Sequence, residues 1–177
     1  MSKKVIGIGV VGLGWMGRLH ARSYKALAEH YADLDVDIRL VNICDPIEAN
    51  RIFAVESLGF ERSVEEYRDL LADPEVDVVS ICSPNYLHRE IALATVEAGK
   101  PFWIEKPMGV SAEQSKDIAE AAENGGLITC VGFNYRHVPA IEKARQLVRA
   151  GRLGRITNVR CWLLADYAAS PEGPLTW

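Results

Sequence analysis

Strand-like and helix-like patterns alternate along most of this chain. Residues 5–11 are continuously apolar, the pattern of a strand buried on both faces, and helix-like material follows over 15–31. A second strand is predicted over 38–44, ending at Asp45-Pro46. A helix with apolar Ile52, Val55 and Leu58 then stops at Gly59. Ser63 and Glu66 have capping-box spacing and predict a short helix running to Asp73-Pro74. A strand over 76–82 precedes a helix over 85–98 that Gly99 terminates, and a strand spans 101–105. A helix over 111–124 carries Ser111 as its cap and Gly125-Gly126 as its stop, and 127–133 is again strand-like. This alternation predicts βαβ units and an α/β class with a doubly wound, mostly parallel sheet.

Beyond residue 133 the pattern changes. An amphipathic helix over 138–150 ends at Gly151, 155–164 is β-rich, and the tail 170–177 holds two prolines and a glycine. The expected organisation is one domain over 1–133 and the beginning of a second α/β domain over 134–177.

Composition narrows the class. With 49% hydrophobic and 25% charged residues, neither a disordered nor a fibrous chain is expected. A net charge of −4 offers no basic surplus to neutralise phosphates, so nucleic acid is not an expected partner. The near-apolar stretch 5–17 follows Lys3 and Lys4 like a leader peptide, but it holds five glycines and no small-residue cleavage site. It also falls short of the roughly 20 residues that span a bilayer. A buried strand and turn is the reading, with no membrane partner. Cys44, Cys82, Cys130 and Cys161 lie at least 31 positions apart. Three of them fall in apolar strand-like segments, which predicts reduced, buried thiols in a cytoplasmic protein and no metal site.

Two overlapping GxGxxG patterns open the chain, Gly7-Gly9-Gly12 and Gly12-Gly14-Gly17. The fingerprint needs a complete strand before its first glycine and a helix opening at its last, which selects the second register. Gly12 then permits the tight turn, Gly14 the close approach of a pyrophosphate, and Gly17 the packing of helix on sheet. The same turn also serves a β–α connection that binds nothing. Asp45 ends the second strand 28 positions past Gly17. A carboxylate there accepts hydrogen bonds from ribose hydroxyls and repels a 2′-phosphate, favouring NAD over NADP; its other reading is a helix cap. Arg51 argues the opposite way, since a guanidinium one or two turns on can pair with that phosphate.

Ser83-Pro84 is sufficient as helix-start chemistry, Ser as cap and Pro in the first helical position. Asn85 and His88 lie three apart on one face of that first turn, at a strand's carboxyl end. Glu105-Lys106-Pro107 closes the next strand. A partly desolvated Lys106 would be useful beside a substrate hydroxyl, whereas an exposed loop lysine paired with Glu105 would not. Gly12, Asp45, Ser83 and Lys106 thus bring ligand-competent groups to one edge of the sheet. Arg136, after the last of these strands, is a weaker candidate for a polar substrate.

These residues resemble the glucose–fructose oxidoreductase and inositol dehydrogenase (Gfo/Idh/MocA) family of sugar and polyol oxidoreductases. The likeness rests on GLGWMGRLHA at 12–21, CDP at 44–46, SPNYLH at 83–88, EKP at 105–107, VGFNYR at 131–136 and AGRLGRI at 150–156. It implies a Rossmann fold binding NAD or NADP along Gly12, Gly14, Trp15, Met16, Gly17 and Asp45. It also implies Ser83, Pro84, Asn85 and His88 near the nicotinamide ribose, and Glu105-Lys106 beside the ring. Lys106 would be catalytic, polarising a sugar or polyol hydroxyl as hydride leaves its carbon. Family members continue into a second α/β domain that carries an Asp, a His general base and the oligomer interface. This chain ends at Trp177, and its four histidines are His20, His30, His88 and His137. The expectation is therefore a fragment, or failing that a natural short form, with catalysis incomplete and a homo-oligomer conceivable. A non-catalytic dinucleotide module, a sensor or scaffold, is the alternative, and a methyltransferase, with no use for Lys106, ranks well below both.

Overall fold

β1 (Lys4–Val11), β2 (Val36–Cys44), β3 (Arg62–Val64), β4 (Val78–Ile81), β5 (Phe102–Ile104) and β6 (Thr129–Val131) form one parallel sheet ordered β3-β2-β1-β4-β5-β6. The structure, a computed structural model, describes residues 3–31, 33–164 and 172. It divides into two compact units, Met1–Gly132 and Phe133–Trp177.

The near-continuous apolar strands are buried because helices cover both faces of the sheet. On one side α1 (Trp15–His30) and α2 (Glu48–Phe53) lie over Ile8, Val10, Leu40 and Ile43, contributing Ala21 and, just past α2, Ala54 and Leu58. On the other, α3 (Tyr67–Ala72), α4 (His88–Glu97) and α5 (Ala112–Asn124) set Leu70, Leu71, Ile91, Ala92, Ile118 and Ala122 against Val41, Val79, Ile81, Phe102 and Ile104. Ser111 caps α5 as expected, its side chain accepting from the N–H of Gln114 at 3.1 Å.

Several expectations are corrected. Ser63 caps no helix: it sits in β3, paired with Ile43 of β2, and α3 begins after Glu66 with no side-chain cap. A three-residue edge strand carries too little alternation to stand out from a turn. α2 widens into a π turn over Ala54–Leu58 before the left-handed Gly59, so Ala54 and Leu58 face inward while Ile52 and Val55 stay exposed. Ser83-Pro84 does not start α4 directly; a 3₁₀ turn, Asn85–Leu87, intervenes and the Ser83 hydroxyl makes no cap bond. Of the cysteines, Cys44 is buried, but Cys130 and Cys161 are exposed, Cys130 because β6 is the sheet's last strand. Burial raises the Cys44 thiol to about 12, so it stays protonated and unreactive.

The second unit contains a 3₁₀ turn, Asn134–His137, and the amphipathic helix α6 (Pro139–Arg149). Residues 155–164, expected to be β-rich, form no strand and are exposed. A strand requires a partner for its hydrogen bonds, and none pairs with this segment among the described residues. The tail 170–177, Glu172 apart, lies outside those residues. No helix among them is long and apolar enough to cross a membrane.

A charged cluster ties β2 and β3 to the α3–β4 loop. Asp73 accepts from Arg62 Nε at 2.7 Å and Asn42 Nδ2 at 2.9 Å. The Arg62 guanidinium is the main cause that lowers the Asp73 carboxyl to about 2. A depressed carboxyl stabilises the fold above its unfolded value near 4 and loses that contribution as pH falls toward 2. Arg62 is 40% exposed, so solvent screening keeps the effect small. Asp73→Asn should therefore lower the melting temperature at pH 6 and flatten its decline between about pH 4 and 2. An unchanged acid limb would exclude this cluster as its source.

Candidate functional site

In a parallel sheet every carboxyl end lies on one edge, and ligands gather where the strand order reverses, here between β1 and β4. The ladder runs one residue past each strand. Gly12 N–H donates to Cys44 O (2.8 Å), Cys82 N–H to Val11 O (2.8 Å), Glu105 N–H to Ile81 O (3.0 Å) and Gly132 N–H to Ile104 O (2.9 Å). The connecting turns therefore leave the sheet from fixed positions.

The glycines of the first turn divide by what requires them. Gly12 has φ +91°, and a Cβ there would meet Cys82 O at 2.8 Å and Ser83 Cα at 2.9 Å. At Gly17 a Cβ would lie 1.9 Å from Gly12 O. Both are demanded by the protein's own packing. At Gly14 a Cβ would meet nothing within 4 Å among the described residues. Gly14 is also the N-cap of α1, which has no side-chain cap and no acidic residue in its first turn. An uncapped N-terminus presents main-chain N–H groups and the positive end of the helix dipole. Trp15 beside it is 78% exposed and Met16 half-buried. Gly7 and Gly9 lie inside β1, where a Cβ would strike Glu75 O (1.8 Å) or the Leu70 and Val76 side chains (2.8 Å each). The first glycine register belongs to strand packing.

Asp45 is buried and heavily engaged. One carboxylate oxygen accepts from Leu13 N–H at 2.7 Å, and the other from Ile47 N–H at 2.9 Å and Asn50 Nδ2 at 3.1 Å. It joins the glycine turn to the residue before α2, but the helix-cap reading is corrected: the N-cap of α2 is Ile47, with no side-chain cap bond, and Asp45 reaches only the Ile47 N–H and the Asn50 side chain there. Arg51 donates to the carbonyls of Asp45 (2.8 Å) and Pro46 (3.1 Å). Arg18 reaches Leu13 O and Asn50 Oδ1 and lies 4.6 Å from the centre of the Phe53 ring.

At the end of β4, the Ser83 hydroxyl is buried without a hydrogen-bond partner among the described residues, and Asn85 is half-buried. His88 is turned inward, 1% exposed, with Nε2 2.9 Å from Ser83 O and Nδ1 2.9 Å from Pro107 O. Both ring nitrogens are occupied by main-chain carbonyls, so this side chain acts on two turns and presents neither nitrogen to a ligand. Lys106 is exposed at the end of β5, and the Lys106–Pro107 bond is cis.

Glu105, by contrast, points into the molecule. Its Oε1 lies 3.0 Å from His20 Nε2, while His20 Nδ1 lies 3.2 Å from Ser80 Oγ, which also meets the Tyr24 hydroxyl at 2.7 Å. Burial pushes the Glu105 carboxyl up, but the His20 hydrogen bond and charge, with the Lys106 N–H, outweigh it and hold the net value below the usual range. The Trp103 indole N–H adds to that pull without meeting hydrogen-bond geometry. A Cβ on Gly132 would lie 2.6 Å from the same carboxylate. His20, Tyr24 and Ser80 are thus site-supporting residues that motif reading missed. The available signal was polar His20 and Tyr24 four apart on a helix face that also buries Gly17 and Ala21. Arg136 stands in the 3₁₀ turn of the second unit.

The residues fit a dinucleotide: an open main chain at Gly14, an uncapped helix start and an unpartnered buried hydroxyl at Ser83. Comparison with known proteins points the same way. Residues 6–133 match the Gfo/Idh/MocA family, described as an oxidoreductase family with an NAD-binding Rossmann fold. The chain is 36% identical over 176 residues to a levoglucosan dehydrogenase of Pseudarthrobacter phenanthrenivorans, covering 97% of this chain and 44% of the relative. It is 32% identical over 146 residues to the scyllo-inositol 2-dehydrogenase (NAD(+)) of Bacillus subtilis, covering 82% and 41%. A structure of levoglucosan dehydrogenase in complex with NADH superposes with a TM-score of 0.89 at 33% identity, covering 98% of this chain and 47% of that one. The chain thus spans less than half the length of the relatives it matches. Through the segment that carries this edge, the chain belongs to the Gfo/Idh/MocA oxidoreductase family, as its NAD-binding Rossmann-fold domain.

Proposed function

We propose that the carboxyl edge of Met1–Gly132 holds NAD(H) in preference to NADP(H), and that the protein interconverts a secondary hydroxyl and a ketone on a cyclic sugar or polyol. The observation that carries this reading is Gly14, the one glycine of the 12–17 turn that no contact among the described residues requires. A diphosphate over that backbone gives the missing side chain a purpose.

When bound, the nicotinamide ring supplies the redox chemistry by taking up or releasing hydride. The chain's part is binding and placement. Main-chain N–H groups around Gly14, Trp15, Met16 and Gly17 donate to the diphosphate. Asp45 keeps the glycine turn in register and uses its remaining acceptor capacity on ribose hydroxyls. Ser83, with its hydroxyl buried and unpaired among the described residues, and Pro84 and Asn85 line the nicotinamide side. Lys106 holds and polarises the reacting hydroxyl through Nζ, with Glu105 and His88 behind it; Arg136 is kept as a weaker candidate for a polar substrate. For NAD over NADP, the buried Asp45 carboxylate repels a 2′-phosphate, and the guanidiniums bonded into the same turns, Arg51 and Arg18, are engaged by carbonyls, Asn50 and the Phe53 ring. The substrate class rests on the relatives named for levoglucosan and inositol, both rings rich in hydroxyls. Four free cysteines suit the reducing cytoplasm.

Fluorescence titration of the chain with NADH and NADPH tests the proposal. NADH should bind at least about tenfold more tightly than NADPH, a difference of about 1.4 kcal/mol. Binding of neither would overturn it, and a preference for NADPH would overturn the role given to Asp45.

A further inference from the structure

Lys106 is exposed, yet both of its chain neighbours are fastened to histidines, the buried His88 and the half-buried His20. Glu105 Oε1 meets His20 Nε2 at 3.0 Å, and Pro107 O meets His88 Nδ1 at 2.9 Å. The two rings come from helices on opposite faces of the sheet, His20 from α1 and His88 from the first position of α4. Each is itself oriented from its far side. His20 Nδ1 faces Ser80 Oγ, and the ring is boxed edge-on by Tyr24 and Trp103, with centroids 6.4 and 5.7 Å away. His88 Nε2 faces Ser83 O. A carbonyl oxygen only accepts, so a ring nitrogen donates wherever one of these His88 contacts is made.

We infer that His20 and His88 are a pair of positioning residues that bracket Lys106, fixing the residue before it and the residue after it. The inference rests on the proposed role of Lys106 at the nicotinamide. Burying two imidazoles among polar partners is costly compared with apolar filling. What these two accomplish is to hold a short exposed turn from both ends. α1 also presents the uncapped N-terminus at Gly14, so the phosphate turn and the Lys106 turn are referred to one rigid helix. A lysine that must meet a hydroxyl within hydrogen-bond distance gains from such fixing, because small displacements are costly in catalysis.

Amide side chains test this nitrogen by nitrogen. Gln at position 20 reproduces Nε2 and so keeps Glu105, whereas Asn reproduces Nδ1 and keeps Ser80. At position 88 the assignment inverts: Asn keeps Pro107 and Gln keeps Ser83. The readout is the ¹³C-dimethyl-lysine NMR signal of Lys106 in the cofactor-free chain, identified by its loss in Lys106→Arg, alongside the melting temperature and NADH affinity. H20Q and H88N should keep the Lys106 signal at its wild-type position, while H20N and H88Q should shift or broaden it and change NADH affinity by no more than about threefold. If the Asn and Gln variants perturb the signal equally at both positions, the histidines are structural filler and the bracket is wrong. Should either position-88 variant fail to fold, the position-20 pair decides alone. A wild-type chain that fails to bind NADH would sink the proposed function and leave this comparison, made without cofactor, standing.

Discussion

Gly14→Val is expected to weaken NADH binding by at least about a hundredfold, roughly 2.7 kcal/mol, while leaving the melting temperature close to wild type. The two halves of that result have separate causes. Among the described residues a Cβ at Gly14 meets nothing within 4 Å, and the backbone there, φ −66° and ψ −165°, is extended and open to any residue. Folding therefore has little to lose, within about 0.5 kcal/mol for such a surface change. The branched methyls can obstruct only something that approaches the main chain from outside. Gly17→Ala provides the contrast. Its Cβ would lie 1.9 Å from Gly12 O, so α1 must back away from the turn, at a cost of about 1–3 kcal/mol or more for overpacking a buried contact. That variant should lose stability and binding together. If Gly14→Val melts normally and binds NADH as tightly as wild type, the diphosphate does not lie over this turn.

The same glycines show where sequence reasoning reaches and where it stops. Strand length and the helix that follows separated the 12–17 register from the 7–12 one, because only three residues of β1 precede Gly7 whereas the full strand precedes Gly12 and α1 opens beside Gly17. Why Gly7 and Gly9 are glycines at all was not legible. The answer lies in Glu75, Leu70 and Val76, more than 60 residues away in sequence. The alternation of strands and helices and the carboxyl-edge positions of Asp45, Ser83 and Lys106 could be read from local pattern, because burial on both faces leaves long apolar runs. β3 could not, since a short edge strand has no such run. The inward turn of Glu105 and His88 was equally hidden. Each has a charged or polar side chain at a ligand-competent edge, and only tertiary packing decides whether it faces the ligand or the residues that hold the ligand's neighbours. Here Gly132, leaving no room for a Cβ against the Glu105 carboxylate, and His20, from another helix, make that decision.

Asp45→Asn should reduce both stability and cofactor affinity, and the way the affinity loss divides between NADH and NADPH reveals what the carboxylate does. Its two oxygens accept three hydrogen bonds, from Leu13 N–H, Ile47 N–H and Asn50 Nδ2. An amide has one acceptor oxygen, so either Leu13 or the Ile47–Asn50 pair must face an NH₂ group. Leu13 is fully buried, and a buried N–H left without a partner costs about 1–3 kcal/mol. The loosened turn should weaken NADH and NADPH alike. If Asp45 also receives ribose hydroxyls and repels a 2′-phosphate, NADH loses a further contact while NADPH is relieved of a repulsion, and the preference for NADH should shrink by about tenfold, or roughly 1.4 kcal/mol. Equal losses for the two nucleotides would confine Asp45 to bracing the glycine turn, and the choice of cofactor would then have to come from other residues.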